Sequence, residues 1–383
     1  MSFGDNGGMT SASHSSASAD PFEGLRIRGV AKTFGADTTV LNEIDLDVHP
    51  GELISLVGSS GTGKSTLLRI IAGLEEPSAG RVTYAGQPLE RGSVGVVFQH
   101  PILYPHLSVK DNILFPTRLG AFAGRVDMDY YRELLEALKL EGLESRKPSQ
   151  LSGGQAQRVG IARALIRRAP VVLFDEPLAS VDEEMSASIR ADIVRLHERY
   201  GFTGLYVTHD QNEALMLGQR VAVMDAGYLV QVDTPEHLLA HPHTLQVAKL
   251  MAAPALNLVA LEDSAVLPAG CQLAIRATAL CPVAADAAHS LPVQVLGSRH
   301  LVGGMLYRAR LLEAVSLPLE SRRASADSEP SDRVYARVRA GQELEFFIPD
   351  AQSGSSLNVG DRVHLGVAAE RCFVFSNGKR FYL

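Results

Sequence analysis

The stretch LSGGQAQRVGIARALIRRAPVVLFDEPLASVD, residues 151–182, combines two features that suit the binding of phosphate and metal. Its first half places a glycine turn, Ser152 to Gly154, at the start of a basic helix. Its second half is a run of four apolar residues that ends in Asp175 and Glu176. Such a run is typical of a parallel strand buried on both faces. The stretch therefore predicts an α/β fold with a parallel sheet.

A second stretch, GSSGTGKST at residues 58–66, matches the phosphate-loop pattern in full. ELISLVG before it predicts a buried strand, and KSTLLRIIAGL after it predicts a helix with Leu67, Leu68, Ile71 and Leu74 on its inner side. The alternative is a plain glycine-rich turn, which this strand–loop–helix context disfavours. We expect nucleotide contacts from the whole loop: Gly58, Ser59, Ser60, Gly61, Thr62, Gly63, Lys64, Ser65 and Thr66.

Polar residues at strand ends supply the remaining chemistry. Lys64 is expected to reach the β- and γ-phosphates, while Ser65 and Asp175 hold Mg²⁺. Glu176 is placed to deprotonate the attacking water. His209 ends the apolar run LYVTH, where a contact with the γ-phosphate is plausible. The alternatives are solvated carboxylates at a strand end and a structural histidine.

Two further residues are weaker candidates. Gln99 ends the apolar run SVGVVF, at the edge where ligands of open α/β sheets collect, and we place it near the nucleotide and its metal; alternatively it is a surface amide. Phe34 precedes the phosphate loop by about two dozen residues and either stacks on adenine or belongs to the core.

Ser152, Gly153 and Gly154 leave two interpretations open. A helix N-terminus attracts anions, but the phosphate loop already surrounds the nucleotide. The turn is therefore either a structural cap or part of a site for a nucleotide that another molecule holds.

Composition limits the class of protein. With 383 residues, 46% of them hydrophobic, the chain can form two or three globular domains, and its net charge of -7 gives no reason to expect nucleic-acid binding. The longest candidate for a membrane helix, residues 245–261, is broken by Lys249, Pro254 and Asn257. The three cysteines lack metal-site spacing, which favours reduced thiols.

The pattern along the chain predicts three parts. Residues 1–21 lack the features of a signal peptide and predict a disordered tail. Residues 22–242 carry the α/β pattern, with a helical subdomain at about 107–150, where Tyr131, Leu134, Leu135 and Leu138 recur at helical spacing. Residues 243–383 form a linker and short strands that predict a small β-barrel or sandwich domain, with a mobile loop at 320–332.

These motifs together resemble those of ABC-type ATPases. GSSGTGKST, Gln99, LSGGQAQR, VVLFDEP, ASVD and His209 occur in the order typical of that family. The resemblance is strong from Leu25 to about Val259 and weak beyond. It implies that ATP and Mg²⁺ are bound, with Gln99 joining Ser65 and Asp175 among the metal-site residues.

The resemblance also implies a homodimer in which two chains enclose two ATP molecules. Ser152 and Gly154, with Gly153 and Gln155 beside them, would contact the γ-phosphate held by the partner. Asp182 would communicate between the two sites, and Gln99 would couple them to membrane subunits. The helices at 107–150 would form the docking surface for those subunits.

TLQVAKLMAAPALNLV, residues 244–259, resembles the link to an OB-like C-terminal β domain in importers of the maltose, glycerol-phosphate, polyamine and ferric-ion type. The expected partners are integral membrane permease subunits and, indirectly, a solute-binding protein, which places the chain at the cytoplasmic face of the inner membrane. The chain departs from the family pattern at Phe34, usually Tyr or Trp, at ASVD, usually with Leu before Asp, and at AIRATAL, which lacks the usual Pro-Glu after Arg276.

Two other functions compete with import. A soluble ABC ATPase of DNA repair or translation typically carries long coiled coils or two ATPase units in tandem, and neither pattern occurs in this sequence. An exporter subunit is disfavoured by the C-terminal β pattern.

Overall fold

A computed structural model describes residues 22–35, 37–118, 126–262, 267–268, 270–319, 334–352 and 356–382. The predicted tail at 1–21 and the predicted loop at 320–332 lie outside these ranges. The α-helices are α1 Lys64–Ile71, α2 Val109–Leu114, α3 Met128–Ala137, α4 Gly153–Leu165, α5 Glu183–Tyr200, α6 Gln211–Leu217, α7 Pro235–Ala240 and α8 Leu245–Leu250. The first ten strands are β1 Leu25–Phe34, β2 Thr38–Val48, β3 Leu53–Val57, β4 Ala79–Tyr84, β5 Gln87–Pro88, β6 Gly95–Val97, β7 Val171–Asp175, β8 Thr203–Thr208, β9 Arg220–Asp225 and β10 Tyr228–Asp233.

A six-stranded sheet positions the predicted site. Its order is β10-β9-β3-β8-β7-β6; the strands from β9 to β6 are parallel, and β10 closes a hairpin on β9. The hairpin turns at Ala226 and Gly227, both with positive φ. The phosphate loop follows β3, Asp175 ends β7 and His209 follows β8, so the parallel strands bring all three to one edge.

Apolar layers cover both faces of this sheet. The antiparallel sheet β2-β1-β4-β5 shares one core with it, in which Ile27, Ile44, Leu56 and Leu173 are buried. On the other side α3, α4 and α5 share a second core, which contains the predicted stripe Tyr131, Leu134, Leu135 and Leu138. Thus the α/β class and the helical segment are confirmed. In the described part of the chain, no helix is both long and apolar enough to cross a membrane.

The prediction for Leu74 is wrong, because this residue is 50% exposed rather than packed on the inner side. Helix α1 ends at Ile71, and Gly73 then takes a positive φ of 67°, which turns the chain away from the helical path. Leu67, Leu68 and Ile71 are buried as predicted.

The C-terminal region is rich in strands, as predicted. Its strands are β11 Leu256–Ala260, β12 Gln272–Arg276, β13 Cys281–Val283, β14 Leu291–Leu301, β15 Gly304–Leu311, β16 Val315–Leu319, β17 Val334–Val338, β18 Glu343–Pro349, β19 Arg362–Gly366, β20 Cys372–Ser376 and β21 Lys379–Arg380. They pair in three sheets, of orders β11-β12-β20-β21, β13-β19-β14-β15-β18 and β16-β17. One large cluster of buried residues joins these sheets.

Helix α8 connects the two regions. On one side Val247 packs with Val221 and Leu238 of the α/β region. On the other side Ala248 packs with Phe373 and Phe375 of the β region. Because Val247 and Ala248 are both buried, one against each region, the two regions meet in a packed junction.

Candidate nucleotide site

The phosphate loop wraps around the side chain of Lys64, which is only 4% exposed. Its Nζ donates hydrogen bonds to the carbonyls of Gly58, at 2.8 Å, and of Ser59, at 3.0 Å. Burial lowers the pKa of Lys64, against the opposing charges of Glu176 and Asp175. Among the residues that the structure describes, no carboxylate forms an ion pair with it, so the charge is available to an anion in the loop.

Glycine is required at position 63 by geometry. Its φ is 99°, and a Cβ there would lie 2.7 Å from Cδ2 of Leu41 and 2.9 Å from the carbonyl oxygen of Val40. The loop is therefore held close against β2 where it turns into α1, and the N–H groups of the first helical turn have no helical carbonyl to pair with.

Ser65 and Asp175 form the predicted metal pair. The Ser65 hydroxyl donates to Oδ1 of Asp175 at 3.2 Å. Burial raises the pKa of Asp175; the Ser65 hydrogen bond opposes this, and the charge of Glu176 adds to it. Two oxygen donors with excess negative charge beside them fit Mg²⁺, which prefers oxygen ligands and completes its shell with water and phosphate. Gln99 lies two residues beyond β6 with its side chain exposed, and no hydrogen bond of the described residues joins it to this pair, so its role as a ligand stays a prediction.

Glu176 and His209 meet beside the metal pair. Nδ1 of His209 lies 3.2 Å from Oε2 of Glu176. The backbone of Glu176 has a φ of 44°, unusual for a residue other than glycine, and its N–H donates to the carbonyl of Val207 at 2.9 Å. The carboxylate is 22% exposed, and its charge acts on Lys64 of the phosphate loop.

Glu213 supports this arrangement and was not predicted from the sequence. Its carboxylate is 7% exposed and accepts hydrogen bonds from the hydroxyls of Tyr206, at 3.2 Å, and Thr208, at 2.8 Å. Arg190 lies 3.5 Å from its other oxygen. These bonds fix the end of β8, from which His209 projects. A threonine followed five residues later by a carboxylate was the available signal, but it is too common to predict such a pair.

Phe34 is 42% exposed, which excludes the alternative that it belongs to the core. The ammonium group of Lys32 lies 4.9 Å from its ring centroid. An exposed ring at the end of β1 remains free to stack on a nucleobase.

The turn before α4 has a different construction. Ser152 caps the helix: its hydroxyl accepts from the Gln155 N–H at 3.3 Å, while the Gln155 side chain accepts from the Ser152 N–H at 3.0 Å. A Cβ on Gly154 would lie 2.6 Å from Cγ of Met185, whose own N–H is capped by Asp182 at 2.9 Å. By contrast, a Cβ on Gly153 would meet nothing within 4 Å. Asp182 is thus the N-cap of α5.

Comparison with known proteins identifies the family. A family model described as ABC transporter matches residues 41–179. The chain is 45% identical over 241 residues to the sn-glycerol-3-phosphate import ATP-binding protein UgpC 1 of Rhizobium johnstonii, in an alignment that covers 61% of this chain and 65% of the relative. It is 42% identical over 266 residues to the UgpC protein of Salmonella typhi, covering 66% of this chain and 74% of the relative.

A solved structure supports the same family. The cbiO1 protein of Clostridium perfringens, part of the ABC transporter complex cbiONQ, is 27% identical with a TM-score of 0.52 and covers 58% of this chain and 92% of its own. The chain belongs to the family of ATP-binding proteins of ABC transporters. Members of that family are transport ATPases, which favours this class over the soluble ABC ATPases of DNA repair and translation.

Proposed function

We propose that the chain works as a homodimer that couples ATP binding and hydrolysis to the import of a small solute through separate membrane subunits. The observation that carries this proposal is that one edge of the parallel sheet unites Lys64, Ser65–Asp175 and Glu176–His209, while the signature turn Ser152–Gly154 starts a helix elsewhere on the sheet.

Within one chain, the phosphate loop binds the β- and γ-phosphates, and Phe34 stacks on the base. Ser65 and Asp175 would hold Mg²⁺, which would neutralise charge on the phosphates. Glu176 takes the proton of the attacking water, and the hydrogen bond from His209 keeps its carboxylate oriented toward the γ-phosphate.

The signature turn serves the nucleotide of the partner. Helix α4 packs against β6, α2 and α5. In the sheet, β8 and β7 separate β6 from β3, so the two strands lie three spacings, about 14 Å, apart. A turn displaced to this side is poorly placed for the phosphates of its own loop. The open space next to Gly153 is where a partner's nucleotide can approach the free N–H groups closely.

Membrane subunits dock beside the helical segment. Ile102, 62% exposed, and Tyr104, 38% exposed, present apolar surface in front of α2. Asn112, fully buried, accepts from the Tyr104 N–H at 2.7 Å and donates to its carbonyl at 3.1 Å, which holds this surface in place. The chain would therefore bind peripherally to the cytoplasmic face of the membrane and would meet a solute-binding protein only indirectly.

The test is co-purification of the chain with its membrane subunits, followed by measurement of ATP hydrolysis with candidate solutes and their binding protein. Because the two UgpC relatives are named as ATP-binding proteins for sn-glycerol-3-phosphate import, that ester is the first solute to try. Stimulation by a transported solute supports coupling. The proposal is contradicted if no membrane subunit binds the chain or changes its rate of ATP hydrolysis.

A further inference from the structure

A cavity of about 620 Å³ lies at the junction between the α/β region and the β region. Leu215 of α6 and Leu239 of α7 line one side. Arg276, Arg371 and Phe373 of the β region line the other. Since it is far in sequence from the phosphate loop and shares no lining residue with it, the nucleotide site does not account for this cavity.

Arg276 is unusual among the residues that line it. Two of its guanidinium nitrogens, Nε and Nη2, are buried and have no hydrogen-bond partner. The guanidinium lies over the ring of Phe373, 5.0 Å from the centroid, and the guanidinium of Arg380 lies 4.4 Å from the same centroid. Burial, and then the charge of Arg380, lower the pKa of Arg276 to about 10, so the group remains protonated at neutral pH.

A buried cation without a counterion costs folding free energy, and a second cation nearby increases that cost. A cation–π contact offsets only part of it. An anion in the cavity would offset much more, since charge-assisted hydrogen bonds from guanidinium groups to carboxylate or phosphate are strong. Arg371 adds a second guanidinium to the cavity wall, against the single carboxylate of Glu236 among the described lining residues.

Leu215, Leu239 and Met251 give the cavity an apolar part beside the polar side chains of Gln211 and Asn212. We propose that the cavity binds a small organic anion, whose carboxylate or phosphate group pairs with Arg276 and Arg371 and whose carbon skeleton packs against the apolar side chains. The proposal does not depend on dimer formation or on the assignment of the nucleotide site.

The position of the cavity gives the bound anion a structural consequence. Helix α6 begins at Gln211, two residues after His209. Asp210 caps this helix by accepting hydrogen bonds from the N–H groups of Asn212 and Glu213. An anion that bridges α6 and the β region therefore ties the element next to His209 to the C-terminal sheets.

Isothermal titration calorimetry of the purified full chain with inorganic phosphate, butyl phosphate and pentanoate tests the proposal, with butanol as the neutral control. We expect binding of an organic anion and none of butanol. Stronger binding of butyl phosphate than of pentanoate identifies a phosphate ester as the class of ligand, and the reverse order identifies a carboxylate. The Arg276→Gln variant, which replaces the guanidinium by a shorter neutral amide, is expected to lose at least about tenfold in affinity.

Two control variants test whether the measured heat of binding comes from the cavity. Lys64→Ala removes the other phosphate-binding cation and should leave butyl phosphate binding intact. Arg299→Gln removes an arginine that is 62% exposed on β14 and should also leave it intact. Absence of binding to the wild type up to about 10 mM of either organic anion, or equal affinity in Arg276→Gln, overturns the proposal.

Thermal unfolding distinguishes a lost site from a misfolded variant. Without ligand, Arg276→Gln should unfold at a higher temperature than the wild type, because the unpaired buried charge is gone. Butyl phosphate or pentanoate should then raise the unfolding temperature of the wild type only. A ligand-free variant that unfolds at a lower temperature would show that Arg276 is already satisfied within the protein and would overturn the proposal.

Discussion

The phosphate loop and the signature turn are both glycine-rich starts of helices, but they are built differently. In the loop, Gly63 is forced against Leu41 and Val40, and Lys64 is buried in the curve of the chain. In the turn, the side chains of Ser152 and Gln155 each accept a hydrogen bond from the backbone N–H of the other, and Gly153 faces open space. The phosphate loop makes its close contacts within its own chain. The turn is capped within its chain, but the side of it at Gly153 is open. This difference is what we expect of a site divided between two chains.

The largest expected effect concerns Glu176, at the nucleotide site that contains the phosphate loop. Glu176→Gln removes the base but keeps the size of the side chain, so turnover should fall by about 10²–10⁴-fold. ATP affinity should change little, and an ATP-dependent dimer should accumulate because the nucleotides are no longer consumed. Steady-state hydrolysis and size-exclusion chromatography with ATP measure both. Near-normal turnover in this variant would remove Glu176 from its proposed role.

Asp175→Asn separates the metal function from the fold. Turnover with Mg²⁺-ATP should drop by about 100-fold, since a metal ligand is lost. The nucleotide-free protein should become more stable at neutral pH. The folded-state pKa of Asp175 is raised, so its ionisation costs stability as the pH rises through that value, and asparagine removes the cost. Calorimetric unfolding checks this, and a lower unfolding temperature at pH 7 contradicts it.

The signature turn offers a matched pair of glycines. Gly153→Ala meets no atom of its own chain and should leave the unfolding temperature unchanged or slightly higher, yet lower hydrolysis by about tenfold by crowding the partner's nucleotide. Gly154→Ala should instead cost about 1 kcal/mol of stability, since Met185 must move. If Gly153→Ala hydrolyses ATP normally, the open surface there is not part of an active site.

The smallest expected effect concerns the stacking of Phe34 on the nucleobase. Phe34→Ala should weaken ATP binding by about fivefold, which corresponds to the loss of about 1 kcal/mol of stacking. Phe34→Tyr should bind normally. Equilibrium titration with a fluorescent ATP analogue measures both, and identical affinity in all three proteins would exclude stacking.

Local sequence patterns predicted the parts of the site that depend on fixed spacing. The phosphate loop and Asp175 at the end of a buried strand belong to this group, because each depends on residues within a few positions of one another. Leu74 was mispredicted because the apolar period continues past Gly73, where the backbone already turns.

Contacts between distant segments could not be predicted in this way. The support that Glu213 gives to β8 depends on how α6 packs, and the presence of Arg276 and Arg371 in one cavity depends on how β12 and the segment before β20 fold together. Sequence periodicity identifies a buried face, but it does not identify which charged groups meet beneath it.

The central claim is that the signature turn acts on the partner's nucleotide, and photocrosslinking in mixed dimers tests it most directly. One chain carries Lys64→Ala and an intact Ser152; the other, distinguishable by a size tag, has an intact loop and Ser152→Arg. Only the second chain should bind an ATP analogue with a photoreactive group on its γ-phosphate. We predict that the label is transferred to residues 152–154 of the Lys64→Ala chain. Label on the signature turn of the chain that holds the nucleotide would contradict the account.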